Sequence, residues 1–145
     1  MALGLFILVL FMAYCAQSNY FHHPLKQAQA EHVACVDLLR GCAIDGATIK
    51  FDHQPQVMQP FHLQLQTAYA ENVTASFAMG GMQMGMNRYR LLQQTPENWI
   101  AEIILPICIQ ARSDWLLEIQ ITKADVNKRY QLSFTLSGAR SPQPE

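Results

Sequence analysis

Charge is scarce in this chain. Lys, Arg, Asp and Glu supply 14% of its residues and nearly cancel, to a formal net charge of −1. A nucleic-acid-binding domain needs a basic face to meet phosphates, so that class is excluded. A disordered tail protein is excluded as well, because 50% of the residues are hydrophobic and can bury a core. Catalytic signatures are missing: there is no G-x-S-x-G, no H-E-x-x-H, no glycine-rich phosphate loop and no C-x-x-C. The five histidines are scattered, so spacing brings no set of titratable groups together. The chain reads as a non-enzyme with no evident small-molecule substrate.

One long apolar run is present, "MALGLFILVLFMAYCA", with no charged residue before Lys26. A secretory hydrophobic region takes about 7–15 residues and a spanning helix roughly 20. Counting Tyr14, Tyr20 and Phe21 as an interfacial belt, residues 1–21 read as an uncleaved signal anchor, a transmembrane helix. The alternative is a cleaved signal peptide, and both readings place the rest of the chain outside the cytoplasm. Cys15 then lies in the membrane as a small apolar side chain.

Residues 22–45 read as a linker followed by a short helix. Ala28 to Leu39 is rich in helix formers, and Gly41 supplies a C-terminal stop. His32 would sit one helical turn before Cys35, while His22 and His23 suit an interfacial linker. From residue 46 to 138 the pattern changes to strands. Phe61, Leu63 and Leu65 alternate with polar residues, as do Trp115, Leu117, Ile119 and Ile121, and Tyr130, Leu132, Phe134 and Leu136. Such alternation marks half-buried antiparallel strands. Further candidates at 47–52, 72–79, 86–93 and 99–105 make about seven strands, separated by turn signals such as "DGA", "TPEN" and "KADVNK". That spacing indicates a mainly β fold, an immunoglobulin-like antiparallel β-sandwich. The remaining tail, residues 139–145, reads as disordered.

Cys35, Cys42 and Cys108 form an odd set, which in an oxidising compartment suggests one disulfide and one thiol with another use. A continuous helix from 35 to 42 would hold the two Cα atoms about 10 Å apart, too far to bridge. Gly41 lets the chain turn back, so a local Cys35–Cys42 bridge is favoured, with pairing of either to Cys108 as the alternative.

Methionine is concentrated. Four of the seven, Met79, Met82, Met84 and Met86, fall within the glycine-rich stretch "FAMGGMQMGM". A core normally uses branched side chains, because methionine specifies packing poorly. Thioethers select Cu(I), a soft ion, and Met at alternate positions beside Gly80, Gly81 and Gly85 lets several sulfurs reach one ion. Core filling and an adaptable apolar contact surface are the competing readings.

"FAMGGMQMGMNRYRL" followed by "NWIAEIILPICIQARSDWLLEIQI" resembles a group of small membrane-anchored periplasmic proteins of Gram-negative bacteria. The resemblance rests on Met82, Met84, Gly85, Asn87, Arg88, Trp99, Leu105, Pro106, Cys108 and Trp115, with Cys35 and Cys42 upstream, and covers roughly residues 35 to 122. The layout is similar to FixH-like and YtkA-like domains, immunoglobulin-like modules associated with copper handling and cytochrome oxidase assembly. It implies a single-pass protein of the bacterial inner membrane with its domain in the periplasm. Met79, Met82, Met84 and Met86 would be soft ligands for Cu(I), with Cys108 as a further one and an oxidase or copper transporter as partner. The ligand spacing of better-defined methionine copper chaperones is absent, so their ligand set does not transfer. The alternative function is a metal-free interaction module that docks on a membrane protein complex, with Arg88 and Arg90 facing an acidic rim.

Overall fold

Alternation becomes architecture over most of the chain. A computed structural model describes residues 29–68, 70–80, 87–107, 113–124 and 126–136. The expected anchor at 1–21 and the tail at 139–145 lie outside them. Ten strands form: β1 (Glu31–His32), β2 (Cys42–Ile44), β3 (Ala47–Phe51), β4 (Pro60–Thr67), β5 (Asn72–Met79), β6 (Arg88–Arg90), β7 (Leu92–Thr95), β8 (Asn98–Ile104), β9 (Asp114–Lys123) and β10 (Val126–Thr135). They make two five-stranded sheets, in the order β1-β10-β9-β5-β6 and β2-β3-β4-β8-β7. Every pairing is antiparallel except the short parallel contact of β1 with β10.

The two sheets share one core, in a sandwich-like arrangement. Phe61, Leu63 and Leu65 of β4 face Phe77 and Val73 of β5, Leu117 and Ile119 of β9 and Leu132 of β10 within a single buried cluster. The period-2 patterns dictate this, since each strand can bury one face only. Edge-to-face ring contacts join the sheets directly: Phe51 meets Phe134 at 5.3 Å between centroids, and Phe61 meets Phe77 at 6.1 Å.

Two expectations are corrected. No helix forms among the described residues, so the one expected over 28–39 is not there. Glu31 and His32 instead pair in parallel with Tyr130 and Gln131, and the Val33 N–H donates to the Gln131 carbonyl at 2.9 Å. A helix this short is marginal unless packing supports it, and here strand pairing supplies that support instead. What remains of the expectation is one turn, in which the Gly41 N–H donates to the Asp37 carbonyl at 3.2 Å. Gly41 adopts φ 101°, a value that favours glycine.

The strand expected at 86–93 is two strands in different sheets. Leu91, between β6 and β7, is fully buried, and its N–H donates to the Val73 carbonyl at 3.0 Å. That anchored residue carries the chain from one sheet to the other.

At the far end, Asp45 and Gly46 turn β2 into β3 with φ of 37° and 77°, the left-handed pair of a type I′ hairpin. Asp45 also clamps the opposite sheet, since its carboxylate accepts the Tyr130 hydroxyl at 3.0 Å and pairs with Lys128. The Lys128 hydrogen bond, then that of Tyr130, holds the Asp45 carboxyl below its ordinary range. Burial, then the Asp45 contact, pushes the Tyr130 phenol up to about 12 from 10.0. The neutral phenol is the form the fold favours. Its contribution to stability is complete below pH 10.0 and is lost as the pH rises toward about 12. An ultraviolet titration should show one tyrosine ionising near pH 12, and Tyr130→Phe should remove that component. Its persistence in the variant would contradict the assignment.

Core position should also separate two substitutions. Phe61→Ala should cost about 3–5 kcal/mol in chemical denaturation, while Leu92→Ala on an exposed edge strand should change stability by less than about 0.5 kcal/mol. Similar losses for both would contradict the packing described.

Candidate functional site

One end of the sandwich collects the connections that carry soft donors. β3 ends there and β4 begins, β5 ends, β8 leads out through Leu105, and β9 returns at Asp114. Register places Met79, the last residue of β5, opposite Trp115 of β9. Its side chain is 2% exposed and belongs to the core. Met79 therefore packs in the core. Met82, Met84, Met86 and Cys108 lie outside the described residues.

The ends of the methionine connection are well held. The Phe77 N–H donates to the Asn87 carbonyl at 3.0 Å, closing the base of the 80–87 connection. Two residues on, the Tyr89 hydroxyl donates across the sandwich to the Ile104 carbonyl at 2.7 Å. Its ring packs edge-to-face on Phe77 at 5.9 Å. The exit of the methionine connection is thus tied to the start of the stretch that leads to Cys108.

A fifth methionine reaches the same place. Met58 donates its backbone N–H to the Leu105 carbonyl at 2.8 Å, beside the Val57–Leu105 bridge. It is 61% exposed and adopts φ 59°, a left-handed value uncommon for a side chain of its size. Sequence reasoning passed over Met58 because it stands alone, in "HQPQVMQP". The available signal was its position directly before a Pro-marked strand start, which puts it at the sandwich end.

Two histidines, His53 and His62, are arranged around Asp52. The Asp52 carboxylate accepts the His62 N–H at 2.8 Å and the His53 N–H at 2.9 Å. It also meets His62 Nδ1 at 2.8 Å and His53 Nδ1 at 2.9 Å. Burial pushes the Asp52 carboxyl up, but the combined hydrogen bonds and charge of His62 and His53 win and hold it below its ordinary range. His62, on β4, is thus fixed by a partner. Among the described residues no three or more His, Cys, Asp or Glu side chains converge on a metal position.

Cys35 and Cys42 are at disulfide distance, with Cα atoms 5.7 Å apart. The favoured local pairing is the one formed, and the turn at Gly41 makes it reachable. The bridge joins the segment after β1 to the first residue of β2, so it links the two sheets at one edge.

No family model and no curated protein matches this chain. Among solved structures, it is similar to a crystal structure of an engineered protein at 15% identity and a TM-score of 0.36, covering 75% of this chain. The match spans 19% of that protein's length. No helix of the described residues is long and apolar enough to cross a membrane.

Mass mapping without reductant should find Cys35 and Cys42 in one bridged peptide and Cys108 alkylatable after denaturation. Replacing both bridge residues by Ala should lower stability by about 2–3 kcal/mol, the value expected for a loop of this length. Alkylatable Cys35 and Cys42, or a bridge to Cys108, would contradict the pairing.

Proposed function

We propose that this protein is a membrane-tethered copper-binding protein of the bacterial periplasm, which buffers Cu(I) or hands it to an oxidase under assembly or to an export system. The observation that carries the reading is the gathering of soft-donor connections at one end of the fold. Tyr89 and Met58 tie the exit of the methionine connection and an exposed thioether to Ile104 and Leu105, three residues before Cys108. Met82, Met84, Met86 and Met58 are the proposed ligands, with Cys108 as a further one. Met79 packs in the core and is left out.

In this reading the sandwich is immunoglobulin-like. The facing orders β2-β3-β4-β8-β7 and β1-β10-β9-β5-β6 support it, as does a first strand that runs parallel to the last. Residues 1–21 supply the anchor, and the protein does no catalysis of its own.

A second reading, a metal-free docking module, is favoured by one observation. Val57, Met58, Ile104 and Ile107 are exposed apolar side chains in adjacent stretches at the same end. An adaptable methionine surface there would suit a membrane complex.

Thioethers are neutral ligands, so Cu(I) affinity should change little between pH 5 and 7, whereas sites of Cys or His lose affinity as they protonate. Met82, Met84 and Met86 replaced together by Leu should leave the fold intact, since such swaps cost less than about 1.5 kcal/mol each. That variant should lose Cu(I) in competition with a chromogenic chelator. Met58→Leu should weaken binding, and Met79→Leu should not. If the parent takes no copper, or the triple variant competes as well as the parent, the docking reading stands instead.

A further inference from the structure

β1 fixes the direction in which the chain enters the sandwich. It is parallel to β10, with Glu31 level with Tyr130 and His32 with Gln131. β10 begins at Val126, at the end where the Asp45–Gly46, Pro96–Glu97 and Ala124 turns lie. It finishes at the end of the methionine connection, where Phe134 is level with Trp115 and Trp115 with Met79. The chain therefore passes through Glu31 and His32 from the turn end toward the methionine end. Two paired residues hold weakly by themselves. Here the Val33 N–H adds a bond to the Gln131 carbonyl at 2.9 Å, and the bridge from Cys35 to Cys42 fastens the segment to the other sheet.

Chain length weighs against the opposite arrangement. From residue 22 to residue 30 a chain reaches about 30 Å when fully extended. To lay the methionine end on the bilayer, that stretch would have to double back beside β10, from the level of Tyr130 to that of Thr135. The run back is about 17 Å at strand spacing. More than half of the reach is then used before the connections from β5 to β6 and from β8 to β9 are passed. With the turn end toward the bilayer, no such reversal is needed.

We infer that the sandwich stands with its turn end toward the bilayer and its methionine end away from it. The inference rests on the anchored reading of residues 1–21 and not on copper. A strand of 10 residues such as β9 is about 33 Å long, so the methionine end is held well clear of the headgroups. This names the kind of partner that the proposed site serves. Its acceptor carries its own site on a water-soluble domain, met in the aqueous phase. A site buried within the same bilayer is out of reach.

The test uses the full chain in phosphatidylcholine vesicles whose headgroups carry an energy-transfer acceptor dye. A donor dye is clicked onto an azide-bearing residue placed at Glu97, exposed at the turn end, or at Gln56, exposed at the methionine end. Neither position touches the cysteines. Flotation with the vesicles is measured first, then transfer to the headgroups. Both labelled chains should float, and transfer from position 56 should be at least threefold weaker than from position 97. If they float and position 56 transfers as well as position 97 or better, the orientation is overturned while the anchored reading stands. If neither floats, the anchored reading falls and the orientation falls with it.

Discussion

Five aromatic rings hold one end of this sandwich together. Phe51 and Phe61 come from one sheet, and Phe77, Tyr89 and Phe134 from the other. They meet edge-to-face in an unbroken series, with centroids between 5.0 and 6.1 Å apart. Such pairs add about 0.5–1.5 kcal/mol each beyond their buried area. Their geometry also fixes how the sheets sit at the end where β3, β5 and β10 finish. Tyr89 does two things at once, packing its ring on Phe77 and using its hydroxyl to hold Ile104. Without this series, the connections that carry the methionines, Met58 and the stretch toward Cys108 would have no common base.

A rigid base beneath methionine-bearing connections suits the proposed site for a soft ion. Methionine side chains bend easily and carry no charge, so the precision has to come from the backbone ends that hold them. Those ends are bonded: Asn87 to Phe77, Met58 to Leu105, Tyr89 to Ile104. Asp45 clamps the opposite end through Tyr130 and Lys128, and Arg129 pairs with Glu118 at 2.8 Å, while Asp52, just past the end of β3, holds His53 and His62.

The strands were legible in the sequence because burial of one face is a local property, written every second residue. That is why β4, β9 and β10 fall where Phe61 to Leu65, Trp115 to Ile121 and Tyr130 to Phe134 alternate. The segment before them was misread for a physical reason. Its helix formers are local, whereas the contact that decides its conformation, Glu31 against Tyr130, is distant in sequence. The break at Leu91 was invisible for a similar reason, since an apolar residue reads alike within a strand and at a crossing between sheets. At the candidate site, the methionine cluster drew attention to Met79 by proximity alone. Its place on the inward face of β5, in step with Val73, Ala75 and Phe77, already pointed to the core. Met58 needed the fold, because only the Leu105 contact places it at this end of the sandwich.

The proposed thioether site is tested most directly by copper K-edge X-ray absorption on the full chain loaded with one equivalent of Cu(I) near pH 6. The account predicts a first shell of sulfur scatterers, without the outer-shell pattern of imidazole. A shell of nitrogen and oxygen with imidazole scattering would contradict it, because the metal would then be held by histidines rather than thioethers.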